Sequence, residues 1–143
     1  MDVLKNIRVC PEEDFPYTEN FRDKPSAKAE SDAVLYKIGT YYRIQNLSGL
    51  KAALAHGLVV VLGFAVPKSF MSQEVKKTDI VPVSGTDDII VEDVQQAGHA
   101  VCAVGYHNKQ TVIIRNNWGD KGYCYFPFAL FKNRIVQDMW TGC

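Results

Sequence analysis

The residues of this sequence that could do chemistry are concentrated in one stretch of its second half. His99 stands in Ala97-Gly-His-Ala-Val-Cys-Ala-Val-Gly-Tyr106, and Asn116 stands in Arg115-Asn-Asn-Trp-Gly119, 17 residues later. A histidine titrates near neutral pH and acts as a general base when one ring nitrogen is held by a partner that fixes its tautomer and orientation. An amide oxygen is such a partner and brings no charge with it. Trp118 follows Asn116 closely enough to cover that hydrogen bond and keep water from competing for it. Taken by spacing alone, a plainer reading outweighs the catalytic one. It makes His99 a satisfied residue at a strand end and Asn-Asn-Trp-Gly a turn with an aromatic plug.

For His99 and Asn116 to meet, they must sit at the same end of neighbouring strands. Residues 99–106 and 111–115 have the β-branched and aromatic content of strands, and residues 107–110 form a hairpin-sized connection between them. Antiparallel pairing then brings the start of the first strand beside the end of the second. Residues 122–126 predict a further strand, and residues 135–140 close the chain.

Upstream, residues 58–66 are a short apolar run bounded by glycine and proline, which predicts a fully buried strand. Ahead of it Asn46 is a helix N-cap candidate, Leu47, Leu50 and Leu54 share one helical face, and Gly57 falls where a C-cap glycine belongs. Residues 36–44 read as a strand, residues 72–88 as a long polar excursion, and residues 23–30 as an exposed loop. One helix followed by antiparallel strands gives an α+β class, a barrel-like sheet packed on a helix over residues 36–143. Residues 1–35, rich in charge and proline, are expected to run as an extended segment over the surface of something else.

Composition narrows the function classes. In a chain of 143 residues with 47% hydrophobic content, 16 basic and 16 acidic side chains cancel. Such a balance argues against nucleic acid or an anionic membrane as the main partner, since both are bound through excess Lys and Arg. The longest apolar run is far below the ~20 residues of a bilayer span. The first residues, Met-Asp-Val-Leu-Lys-Asn, hold no apolar signal core. Cys10, Cys102, Cys124 and Cys143 lack CxxC spacing, which argues against a zinc site. Two disulfides and free buried thiols explain them equally well.

These motifs resemble the papain-like cysteine peptidases. Gly98-His-Ala-Val-Cys-Ala-Val-Gly-Tyr106 is similar to the stretch around that family's catalytic histidine, and Arg115-Asn-Asn-Trp-Gly119 to its Asn-Ser-Trp-Gly signature, with Asn117 in place of serine. Gly122-Tyr123, Phe15-Pro-Tyr17, Leu50-Lys-Ala-Ala-Leu-Ala-His-Gly57 and Ser69-Phe70 also match in order. The short Gly119-Asp-Lys-Gly122 connection resembles microbial members. The resemblance implies the family's C-terminal antiparallel barrel half. It makes His99 the proton-exchanging base for a nucleophilic thiol, Asn116 the group that orients it, and Trp118 its shield. Leu62, Ala97, Gly98 and Ala100 match cleft-lining positions, and an apolar pocket there would favour hydrophobic side chains of a peptide or protein substrate. No metal or organic cofactor is implied. Family members are often extracellular or lysosomal and vacuolar.

The family's nucleophilic cysteine lies about 130–150 residues ahead of its histidine, whereas His99 has 98 residues before it. The nucleophile and the oxyanion-hole glutamine are therefore expected upstream of Met1, in a missing N-terminal half or a complementary chain. None of the four cysteines opens a helix, where amide dipoles stabilise a thiolate. Cys102, three residues past His99, points to the other face of the strand. The chain alone is expected to be inactive on peptides. The alternative is a catalytically dead remnant that binds a peptide or partner. Either way an apolar face awaits a partner, so self-association is expected.

Overall fold

The structure, a computed structural model, describes residues 1–20, 22–83, 98–107, 110–117, 122–132 and 135–143. The chain forms two compact units, Met1–Tyr41 with Gly142–Cys143, and Tyr42–Thr141.

The first unit carries a π-helical turn Val3–Ile7, helix α1 (Ala27–Asp32) and a 3₁₀ turn Ala33–Leu35. The loop expected over residues 23–30 is thus helical from Ala27. Ser26 caps α1 by accepting from the Ala29 amide at 3.1 Å, and alanine, lysine and glutamate then favour the helix. At six residues α1 is too short to show a helical period in the sequence. In the same unit the amides of Gly39 and Thr40 donate to the carbonyl of Cys143 at 2.6 and 3.1 Å.

In the second unit the strands are β1 (Tyr41–Arg43, which begins at the unit boundary), β2 (Val60–Ala65), β3 (Gly98–His107), β4 (Thr111–Arg115), β5 (Tyr123–Pro127) and β6 (Val136–Gly142). They form one sheet in the order β1-β6-β2-β3-β4-β5, linear among the described residues, with β1 and β5 at its edges. The strand expected over residues 36–44 shrinks to β1, because the Tyr36 amide instead closes the preceding 3₁₀ turn on the Ala33 carbonyl.

Helix α2 (Leu47–Ala55) starts where Asn46 accepts from the Gly49 amide at 2.9 Å. It ends at Ala55, two residues before Gly57. His56 is the cap, and Gly57 follows with φ +76°. The Leu58 amide reaches the Ala53 carbonyl and the Gly57 amide the Leu54 carbonyl, both at 3.0 Å, which is the Schellman pattern that a left-handed glycine permits. Leu50, wholly buried, is the residue α2 sends into the core. A second helix, α3 (Gln73–Thr78), occupies part of the expected polar excursion. Ser72 caps it on the Val75 amide at 3.3 Å. The excursion beyond residue 83 lies outside the described residues.

The core is one-sided. Val60, Leu62 and Phe64 of β2 point inward with Val101 and Ala103 of β3, Val112 and Ile114 of β4, and Cys124 and Phe126 of β5. Val61 and Gly63 keep part of their surface, so β2 alternates, where a strand buried on both faces was expected. The reason is architectural: an antiparallel sheet can leave one face to solvent.

Candidate active site

His99 is the second residue of β3 and shares a strand face with Val101 and Ala103, which sit in the core. Its cross-strand partner on β2 is Phe64, and the ladder ends one pair later at Ala65 and Gly98. The imidazole therefore stands at the rim of the sheet, half-buried. Asn116 directly follows β4. The last pair of the β4–β5 ladder is Arg115 with Tyr123, and the Asn116 amide extends it by donating to the Gly122 carbonyl at 2.9 Å.

Two features fix that strand end. Gly122 has φ +67°, a backbone region that glycine enters without strain. A Cβ there would stand 3.1 Å from a guanidinium nitrogen of Arg115. That guanidinium in turn lies 4.8 Å from the centre of the Tyr123 ring, within cation–π range. The glycine-tyrosine pair thus has a geometric task, which is to hold the strand end that presents Asn116.

The two side chains meet. Nε2 of His99 and Oδ1 of Asn116 are 2.8 Å apart, and Asn116 is only 8% exposed. An amide oxygen accepts and never donates, so Nε2 carries the proton that it donates to Oδ1. In the neutral ring the basic lone pair then belongs to Nδ1. The hairpin geometry expected from residues 107–110 is what brings the pair together. His107 pairs with Thr111 across β3 and β4, and the Gln110 amide closes on the His107 carbonyl at 3.1 Å. Asn108 and Lys109 lie outside the described residues.

The other candidate residues separate into groups. Gly98 and Ala100 are exposed on either side of His99. Gly98 faces open space, with nothing within 4 Å of a Cβ built on it. Leu62 lies opposite Val101 on the core side with no exposed surface. Ala97 and Trp118 lie outside the described residues. Phe64, whose ring lies against His99, was not singled out from the sequence. Only the strand register distinguishes it from the other apolar residues of β2.

The cysteines are all free. Cys102 pairs with Val61 and Arg115, on the face of β3 away from the core, and burial pushes its thiol pKa up. Cys124 is buried in β5. Its thiol is pushed up to about 12, first by burial and second by the nearby Asp79 carboxylate. Both shifts disfavour the thiolate, the reverse of what a nucleophile needs. Among the described residues no group of three or more His, Cys, Asp or Glu side chains is placed to hold a metal ion. No helix among them is long and apolar enough to cross a membrane.

The family profile described as papain family cysteine protease matches residues 1–133. The chain belongs to the papain family of cysteine proteases. Its relatives within that family include an uncharacterized peptidase C1-like protein of Acanthamoeba polyphaga mimivirus, 37% identical over 96% of this chain and 48% of its own length. Among solved structures it is similar to xylellain, a cysteine protease from Xylella fastidiosa. That match has a TM-score of 0.77 and 32% identity, and covers 99% of this chain and 58% of xylellain. The Carica candamarcensis cysteine protease CMS1MS2 shares the fold at a TM-score of 0.61 and 18% identity, covering 99% of this chain and 64% of that one. The chain therefore spans about half the length of the curated relative it matches. Papain-like architecture, with helices beside an antiparallel sheet, is the fold of this α+β chain.

Proposed function

We propose that this chain is the histidine- and asparagine-bearing part of a papain-type peptidase, and that a segment beyond it supplies the nucleophilic thiolate. The contact of 2.8 Å between His99 Nε2 and Asn116 Oδ1 carries the reading. It turns Nε2 toward the amide, which supports a role for the other nitrogen in exchanging a proton with a thiol. In the assembled site the thiolate attacks the scissile carbonyl of a peptide. The imidazolium of His99 gives its Nδ1 proton to the leaving amine, which departs with the C-terminal part of the substrate. A water molecule then attacks the acyl-thioester. His99 takes its proton, the carboxylic acid product leaves, and the thiolate–imidazolium pair is restored. Gly98 and Ala100, small and exposed beside His99, leave room for a peptide backbone next to the base.

Fusing the cysteine-bearing portion of xylellain ahead of this chain tests the proposal. The chimera is expected to hydrolyse a fluorogenic peptide, and His99→Ala to return it to background. Hydrolysis that survives His99→Ala would sink the assignment.

One observation favours a second reading, a peptide- or partner-binding remnant. Cys102 points away from the core side that His99 shares, and Cys124 is buried with a thiol pushed up to about 12, so neither is a nucleophile for this His99. Saturable binding of a labelled peptide by the chain alone, unchanged by His99→Ala, would support that reading. Loss of all binding would remove it.

A further inference from the structure

The hydrogen bond to Asn116 holds one point of the His99 ring. It does not by itself hold the ring plane. The outer torsion of histidine is broad and two-fold, and a half-turn about it swaps Nε2 with a ring carbon and removes the donor from Oδ1. Something must press on the face of the ring.

Phe64 is placed to do so. It pairs with His99 across β2 and β3, and the two ring centres lie 5.7 Å apart with the planes inclined by 64°. This is the edge-to-face arrangement aromatic rings prefer. Phe64 is itself held on other sides. Its ring is 5.4 Å from that of Phe70 and 5.0 Å from that of Phe126, at 62° and 82°. Phe70 and Phe126 meet each other at 6.1 Å and 81°. Three rings in mutual edge-to-face contact close a triangle, and Phe64, at 1% exposure, has no open side into which to swing. The backbone is also specialised at this position. Gly63 pairs with Asp138 and Phe64 with Val136, so one residue of β6, Gln137, is left over as a bulge opposite the Gly63–Phe64 step. A bulge sharpens the local twist and re-aims the side chain beside it.

We infer that Phe64 is a positioning residue for His99, the wall that fixes the plane of the imidazole while Asn116 fixes its edge. The inference rests on His99 acting as the base of the proposed site, but its test reads the ring directly and needs no turnover.

The probe is the Nε2–H proton of His99 in this chain, followed by ¹H–¹⁵N NMR in water. In the native chain it is expected as one resonance protected by Oδ1. In Phe64→Leu, with the fold kept as judged by the backbone amide spectrum, its exchange with water is expected to rise at least about tenfold, because the ring now samples the flipped state. Phe64→Tyr keeps the ring and should keep the protection. Val60→Ala, which opens a core defect four residues away on the same strand, opposite Ala103 and Thr141, should leave it within about twofold. If Phe64→Leu does not fold, Phe64→Met is read by the same criterion. Unchanged protection in the folded Leu or Met variant would overturn the assignment. Equal loss in Val60→Ala would overturn it too, since that marks a general softening of the core. A failed chimera with a protected Nε2–H would defeat the proposed peptidase and leave the positioning role standing.

Discussion

In the proposed site Asn116 takes, as a neutral group, the place that a carboxylate takes in other proton-transfer sites, and the difference is physical. A buried carboxylate beside His99 would stabilise the imidazolium by charge, whereas an amide oxygen orients the ring without that bias. In an assembled enzyme, Asn116→Ala should therefore act on kcat. A loss of about ten- to a hundredfold is expected, below the 10²–10⁴ that a general base contributes in full, with KM nearly unchanged in steady-state kinetics. Cys124 makes a second expectation at this scale. Its thiol is raised from 9.0 to about 12 in the fold by burial, with Asp79 adding to it, so the folded state holds its proton more tightly than the unfolded chain. Its contribution to stability is complete below about pH 9 and falls between there and pH 12. At pH 8 the exposed Cys143 should react promptly with a thiol reagent, whereas Cys124 should react only on unfolding. Mass-spectrometric labelling across a urea series decides this, and prompt labelling of Cys124 in the folded chain would contradict it.

At the scale of elements, the site depends on how strands and helices end. Helix α2 is held at one end by the Asn46 side chain and at the other by the Schellman turn at Gly57. Asn46→Ala should cost about 1 kcal/mol through the lost cap. Gly57→Ala should cost about 1–2 kcal/mol, all of it backbone strain at φ +76°, since a Cβ there meets nothing. Urea midpoints at constant slope measure both. Gly122→Ala combines strain at φ +67° with crowding against Arg115. A similar loss of stability is expected, accompanied by a displaced His99 resonance, because the Gly122 carbonyl holds the backbone amide of Asn116. A Gly122→Ala chain with native stability and an unmoved His99 signal would show that Gly122 does not hold the site.

At the scale of the molecule, the second unit keeps apolar side chains on its surface, among them Val59, Met71, Ile80, Val83 and Val104. Scattered singly they would need no explanation. In a chain that spans about half of its curated relative, they are surface that a further segment could cover. Self-association in the tens of micromolar is expected by sedimentation velocity, relieved when the cysteine-bearing portion is fused. A clean monomer at high concentration would contradict it.

Much of this was readable from residue order. Asn46 and Gly57 framed α2 because caps are local chemistry, fixed within four residues of the helix end. The hairpin of β3 and β4 was legible because two strands and a short connection admit essentially one pairing, and with it came the meeting of His99 and Asn116. Helix α1 escaped because six residues carry no period. That Phe64 and not Leu62 lies against His99 went unseen, for a single reason. Both are apolar residues on one face of β2, and composition does not say which of them ends up beside the histidine. Register decides that. The β2–β3 pairing sets Phe64 against His99 and Leu62 against Val101, and the arrival of β6, the last strand of the sequence, on the other side of β2 adds the bulge opposite Phe64. The sequence by itself determined the family, the meeting of His99 with Asn116 and the local ends that present them. Only the tertiary structure, through long-range strand pairing that no local pattern encodes, decided which side chain lies against the histidine.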